Sequence, residues 1–232
     1  MQIKKAIILS AGYGKRLNPI TLSKPKPLLK INNKTLLENT IYFLEKLGIQ
    51  EIVINTHYLS DQIASFINSK KFNPKIFIVK EFKRILNTGG GVLNASKKFN
   101  TNPFFVLNPD TLWSQSYIDD FNNMEKEYFH NNNKSVLLVV EKTKSFDKTL
   151  NGDFNLKENL LNRENGEKKY IYTGSQILNN SVFKNKKIEP FPMNIIWDSL
   201  MKNKKLIGIK SEQEFLHVTN LKIYNELIKR KF

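Results

Sequence analysis

The chain has 232 residues, 40% of them hydrophobic and 25% charged, which is enough to bury one generous core with an ordinary globular balance. It has no cysteine, so disulfides, thiolate catalysis and a Cys-based zinc site are excluded, and no apolar run approaches the ~20 residues of a membrane span. The formal net charge of +16 reads either as attraction to polyanions or as compositional drift toward Lys, Asn and Ile. The lysines are spread along the chain and no nucleic-acid module is present, so drift is favoured and neither a nucleic-acid nor a membrane partner is expected.

The apolar stretch after Lys4 and Lys5 is too short for a signal peptide, and charge at Lys15 and Arg16 interrupts it. Residues 3–9 read instead as a buried first strand, and a cytoplasmic location is expected. A helix follows over 35–47, with Leu36, Leu37, Ile41, Leu44 and Leu47 at helical spacing and Gly48 as its stop. The pattern then alternates: strand 51–55, helix 59–67, strand 75–79, helix 90–99, strand 103–107, helix 115–129, strand 135–141. Such alternation predicts an α/β fold with right-handed crossovers and helices on both faces of a mostly parallel sheet. After residue 142 the pattern loosens. Short strands are expected at 152–156, 168–172, 206–210 and 214–218, and helices at 194–202 and 221–231. The polar stretch 157–169 reads as a hairpin or mobile loop. No repeat or linker divides the chain, so 1–232 reads as a single domain.

The chemistry starts at Leu9-Ser10-Ala11-Gly12-Tyr13-Gly14-Lys15-Arg16-Leu17, directly after the first strand. Ligands of open parallel sheets bind beyond the carboxyl ends of strands, and small residues let backbone N–H groups approach phosphate oxygens. Lys15 and Arg16 add positive charge. Two familiar phosphate loops do not match. The dinucleotide fingerprint needs a third glycine where Leu17 stands, and the ATPase loop needs Ser or Thr where Arg16 stands. Further on, Pro25 and Pro27 stiffen the backbone around Lys26, and a held ammonium suits a phosphate better than a floppy one.

The stretch from Leu9 to Leu29, with Asn18-Pro19-Ile20-Thr21 in its middle, resembles the signature of the sugar-phosphate nucleotidyltransferases. The resemblance implies a Rossmann-like three-layer α/β/α fold with a mixed, mostly parallel sheet. It divides the domain into a nucleotide-binding half, 1–141, and a sugar-binding half, 142–232. It also implies a magnesium ion, with manganese as the alternative, and release of pyrophosphate. Leu86-Asn87-Thr88-Gly89-Gly90-Gly91 resembles the second glycine loop of that family, where bare backbone lies against the base. Asn108-Pro109-Asp110 resembles the segment whose Asp binds metal. Gly152-Asp153-Phe154, Tyr172-Thr173-Gly174 and Ile196-Trp197 resemble segments lining the sugar side. Among subfamilies, the short length, the Thr-Gly-Gly-Gly loop, Gly-Asp-Phe and Trp197-Asp198 resemble the N-acetylmuramate 1-phosphate uridylyltransferases. No hexapeptide repeats are present, so a fused acetyltransferase domain is not expected.

The resemblance implies residue roles. Arg16, Lys26 and Asp110 would be catalytic. Leu9, Ala11, Gly12, Gly14, Lys15, Asn87, Gly89 and Gly90 would bind the nucleotide. Asn108, Gly152, Thr173, Gly174 and Trp197 would bind the sugar. Two positions depart from the pattern. Pro109 replaces a glycine, removing an N–H and fixing φ. His217 stands where a second metal-binding Asp is expected, and magnesium prefers oxygen ligands. His217 therefore reads three ways: a ligand for a softer metal such as manganese, a cation against phosphate, or a packing residue. His57 and His130 read as surface residues. The implied substrates are an NTP, with UTP favoured, and a sugar 1-phosphate, in a monomer or a homodimer. The alternatives are another hexose 1-phosphate with GTP or TTP, phosphocholine with CTP, or a nucleotide-binding protein without turnover.

Overall fold

The computed structural model describes residues 2–99, 103–131, 134–164 and 166–230. Strands and helices run in the order β1 (Lys5–Ser10), β2 (Lys30–Ile31), β3 (Lys34–Thr35), α1 (Leu36–Lys46), β4 (Glu51–Thr56), α2 (Ser60–Asn68), β5 (Lys75–Lys80), α3 (Asn87–Ser96), β6 (Phe104–Leu107), α4 (Ile118–His130) and β7 (Ser135–Glu141). They continue as β8 (Asn155–Lys157), β9 (Leu160–Asn162), β10 (Tyr170–Leu178), α5 (Asn194–Lys202), β11 (Leu206–Ser211) and α6 (Leu221–Leu227).

The main sheet has nine strands in the order β5-β4-β1-β6-β10-β7-β11-β9-β8. β5, β4, β1 and β6 are parallel, and β11 is parallel to β7. β10 runs antiparallel between β6 and β7, which makes the sheet mixed. The central strands are apolar on both sides because both faces are covered. Along β1, Ala6 and Ile8 join one core while Ile7 joins the other; Ile52 and Ile54 against Val53 do the same on β4. The first core takes Leu37 and Ile41 of α1, Ile63 of α2, and Phe121 and Met124 of α4. The second takes Val92 and Ala95 of α3 and Ile196 of α5. Three layers, α/β/α, result.

Local chemistry explains the element ends. Thr35 caps α1 in a capping box: its hydroxyl accepts from Glu38 N–H at 3.0 Å, and Glu38 Oε2 accepts from Thr35 N–H at 3.3 Å. The β2–β3 hairpin, which the apolar pattern does not signal, turns on Asn32 and Asn33, both at positive φ. The polar stretch 157–169 begins as the β8–β9 hairpin, turned by Glu158 and Asn159 at positive φ.

Several expectations shift. α3 starts at Asn87, three residues earlier than the apolar spacing suggests, because its glycines are packed and not exposed. β10 extends through Leu178, where Thr173 to Gln176 mask the strand pattern. The expected strand 214–218 is reduced to isolated bridges, Thr111 with His217 and Ser145 with Phe215. α6 ends at Leu227, and Lys231 lies outside the described residues. No described helix is long and apolar enough to cross a membrane.

Candidate active site

β1 ends at Ser10, and the chain turns over the carboxyl edge of the sheet. Gly12 has nothing within 4 Å of where a Cβ would stand, so no neighbour among the described residues demands a glycine there and the backbone is left bare toward the cleft. Gly14 is the opposite case. Its φ is +67°, and a Cβ would lie 3.0 Å from Thr21 Cγ2 and 3.2 Å from Lys26 Cβ. Its carbonyl accepts from Leu17 N–H at 2.9 Å and from the Thr21 hydroxyl at 3.0 Å. Leu17 is buried, contributing roughly 1.5–3 kcal/mol and anchoring the turn. Lys15 and Arg16 therefore stay outside, and Arg16 makes no ion pair among the described residues.

Pro25 and Pro27 bracket Lys26 in a tight turn, Leu28 N–H donating to the Pro25 carbonyl at 2.9 Å. Lys26 Nζ lies 2.5 Å from Asp110 Oδ2, and the two side chains are 13% and 19% exposed. Asp110 follows β6 and is fixed from both ends. Asn108 N–H donates to the Gly174 carbonyl at 2.8 Å, and the Asp110 carbonyl accepts from Val218 N–H at 2.8 Å. The bridge between Thr111 and His217 then brings His217 Nε2 to 3.1 Å from Asp110 Oδ2, off the line of a hydrogen bond. Burial alone would raise the Asp110 carboxyl, but Lys26 and His217 outweigh it and hold it well below the usual carboxylate range. Asp110 Oδ1 and His217 Nε2 are both buried without a hydrogen-bond partner among the described residues.

Between the loop and Asp110 lies a cleft of about 450 Å³. It brings together Leu9, Ala11, Gly12, Gly14, Lys15 and Arg16 with Lys26, Asn87, Asn108 and Asp110, all named from sequence. Pro109 also lines the cleft, and the backbone hydrogen bonds on either side of it run through Asn108 N–H and the Asp110 carbonyl.

Other positions differ from the expectation. Gly89 and Gly90 do not face the cleft: a Cβ on either would overlap the Phe191 ring or the Glu189 carbonyl, and their N–H groups donate to the Phe191 carbonyl at 2.9 and 3.2 Å. Their smallness admits a neighbouring segment, and Ile85, Asn87 and Thr88 line the cleft in their place. Thr173 is buried with its hydroxyl on the Leu138 carbonyl at 2.9 Å. Trp197 belongs to the core, its indole N–H on Gln176 Oε1 at 2.9 Å. A Cβ on Gly152 would overlap the Lys168 carbonyl, and Gly174, at φ +95°, admits Asn108. None of these four residues lines the cleft between the loop and Asp110. His130 is exposed as expected, but His57 is half-buried at the cleft rim, with Nδ1 on the Glu81 carbonyl at 2.6 Å and Nε2 3.3 Å from the Tyr13 hydroxyl.

Within two of the segments that the resemblance points to, Tyr172 and Asp153 stand out in the structure though neither is singled out from sequence. The Tyr172 hydroxyl is buried with no hydrogen-bond partner among the described residues, and its ring stands against Trp197 at 4.9 Å between centroids. Burial, together with the charges of Asp153 and Asp110, pushes its pKa far above the usual phenol value, so it stays a donor. Asp153 Oδ2 accepts from Tyr172 N–H at 2.9 Å. Both sit inside motifs that stand out for their glycine or threonine neighbours, which is the available signal.

The nucleotidyl transferase family pattern matches residues 5–192. The chain belongs to that family. The N-acetylmuramate alpha-1-phosphate uridylyltransferase of Caulobacter vibrioides is 26% identical over 93% of this chain and 91% of its own. The bifunctional protein GlmU of Methanococcus maripaludis strain C5 is 35% identical over 77% of this chain, which spans 41% of that longer protein. Among solved structures, HddC from Yersinia pseudotuberculosis, complexed with GMP-PN, superposes with a TM-score of 0.75 at 22% identity, covering 98% of this chain and 99% of its own.

The family membership raises the question of a divalent cation for this nucleotidyltransferase. Among the described residues no three His, Asp, Glu or Cys side chains converge on one point. Asp110 Oδ1 offers a buried, unclaimed carboxylate oxygen, which fits a hard cation that keeps waters and substrate phosphates as its other ligands. His217 Nε2, beside Asp110 Oδ2, is a nitrogen that does not fit magnesium and suits manganese or zinc better.

Proposed function

We propose that the protein transfers uridylate from UTP to N-acetylmuramate 1-phosphate, forming the nucleotide sugar and pyrophosphate in the cytoplasm. Sugar-1-phosphate nucleotidyl transfer is the activity that the family and its relatives support. The observation that carries it is the Lys26–Asp110 pair at the junction of the phosphate loop and the acceptor side. The narrower choice of UTP and N-acetylmuramate 1-phosphate is supported by the end-to-end match with the Caulobacter uridylyltransferase. The Xenopus tropicalis mannose-1-phosphate guanylyltransferase subunit is more identical, at 36% against 26%, but over only 60% of this chain.

In this reading the acceptor's phosphate oxygen forms a bond to the α-phosphorus as the bond to pyrophosphate breaks. That oxygen is already ionised at pH 7, so no general base is required, and positioning and charge neutralisation carry the rate. Backbone N–H groups of Ala11, Gly12 and Gly14 hold phosphates. The Arg16 guanidinium grips the leaving pyrophosphate. Lys26 neutralises charge near the α-phosphate. Asp110 would hold a divalent cation, which supplies charge neutralisation across the phosphates when bound. Asn87 and Thr88 face the base, and Tyr172 and Asp153 face the acceptor.

The test is a pyrophosphate-release screen of four NTPs against N-acetylmuramate 1-phosphate, several hexose 1-phosphates and phosphocholine, each with magnesium and with manganese. UTP with N-acetylmuramate 1-phosphate should turn over fastest. A faster hexose pair would replace the substrate assignment. NTP binding without release in every combination would replace the enzyme with a binding protein.

A further inference from the structure

Three strands of the nucleotide half end side by side, and one chain of hydrogen bonds crosses their ends. Ser10 N–H, at the end of β1, donates to Asn55 Oδ1 at 2.9 Å. Asn55 Nδ2, on β4, donates to Glu81 Oε1 at 2.7 Å. Glu81, just past β5, takes Leu86 N–H on its other oxygen, Oε2, at 2.7 Å. Asn55 is 2% exposed and Glu81 3%, and Glu81 makes no ion pair among the described residues. Gly91 closes over the middle: a Cβ there would lie 2.7 Å from Asn55 Nδ2 and 3.0 Å from Glu81 Oε1.

A buried carboxylate without a cation is an expensive choice, since a neutral amide of the same shape loses less on leaving water. Geometry gives the reason for it. Two donors, Asn55 Nδ2 and Leu86 N–H, converge on this side chain, and a carboxylate offers two acceptor oxygens and no N–H to collide with either. The ends of the chain matter as much as its middle. Ser10 opens the phosphate loop, and Leu86 immediately precedes Asn87 and Thr88 on the facing wall of the cleft.

We propose that Glu81 is a positioning residue for the nucleotide: through Asn55 and Leu86 it sets the span between the wall that holds phosphates and the wall that meets the base. This rests on the reading of the cleft as the nucleotide site. The direction of the central bond makes the idea testable. In Glu81→Gln, one amide oxygen must serve two donors, and the amide N–H₂ opposes one of them. In Asn55→Asp, the side-chain N–H that serves Glu81 is lost and two buried acidic groups face each other. In the double variant the central bond simply reverses. The amide now at position 81 donates to the carboxylate now at position 55, whose other oxygen still takes Ser10 N–H, while the amide oxygen at position 81 takes Leu86 N–H. Every donor again has an acceptor, and the net charge is that of the native chain.

The experiment is a double-mutant cycle read as separate KM values for the NTP and the acceptor. Each single variant should raise the NTP KM by about tenfold or more and leave the acceptor KM within about twofold, and the double variant should return the NTP KM to within about threefold of native. Unchanged NTP KM in the single variants overturns the proposal. So does an equal rise in both KM values, or a double variant worse than either single. Should the single variants fail to fold, the double variant still decides, because it must fold and bind NTP as the native protein does. Arg16→Ala in the same assay separates this proposal from its foundation. An unaffected Arg16→Ala enzyme removes the nucleotide site itself, whereas an impaired one beside unaffected relay variants removes only the role of Glu81.

Discussion

The two sides of the cleft are built by different means. The glycine-loop side comes mainly from one stretch of chain, residues 9–29, in which a buried Leu17, a positive-φ Gly14 and two prolines fix the turn locally. The other side is assembled from pieces far apart in sequence: Asp153 bonds to Tyr172 N–H on β10, which enters the sheet beside β6, and a bridge between Thr111 and His217 brings His217 to Asp110. A locally built wall should respond to one substitution with one substrate. A wall built from distant segments should respond through packing as well as through contact.

The largest expected break is Arg16→Ala. It should leave the fold intact and lower turnover by about a hundredfold, since its guanidinium has no ion-pair partner to lose among the described residues. Near-native pyrophosphate release would end the assignment of that wall. His217→Asp comes next. Replacing imidazole by carboxylate should move the ratio of manganese to magnesium affinity toward magnesium by on the order of tenfold, followed by manganese EPR with NTP present. An unchanged ratio would make His217 a packing residue. Tyr172→Phe should raise the acceptor KM roughly three- to tenfold while thermal stability holds or rises, because the hydroxyl has no partner among the described residues. A lowered melting temperature with an unchanged KM would mean the hydroxyl serves the fold. The smallest is Thr35→Ala, which removes the α1 cap at a cost of about 1 kcal/mol and should leave both KM values alone.

What can be read from sequence follows the same division. The loop from Leu9 to Arg16, Lys26 and Asp110 converge because their positions depend on nearby glycines, prolines and strand ends, all visible in the chain. The glycines at 89 and 90 read as bare backbone for a base, but smallness does not say what it admits, and here it admits Phe191. Trp197 reads as a sugar contact, but its indole N–H finds Gln176 on a strand that the polar run 173–176 hides. Tyr172 and Asp153 gain their meaning from long-range placement, to which periodicity is blind. The strands of the first half are legible because burial on both faces leaves long apolar runs. The 214–218 segment is not, because its bridges to Thr111 and Ser145 are single.

The late arrival of β10 also governs how the chain can be made. β6 and β7 are not neighbours; the strand between them is encoded well after Phe104–Leu107 has left the ribosome. Until Tyr170–Leu178 emerges, two strand edges with unpaired backbone groups wait open on either side of a gap. A nascent chain in that state has a sheet it cannot close and apolar surface it cannot cover, a condition that invites pairing with other chains. The sheet is continuous from β6 to β7 only once the strand that pairs with both of them is in place.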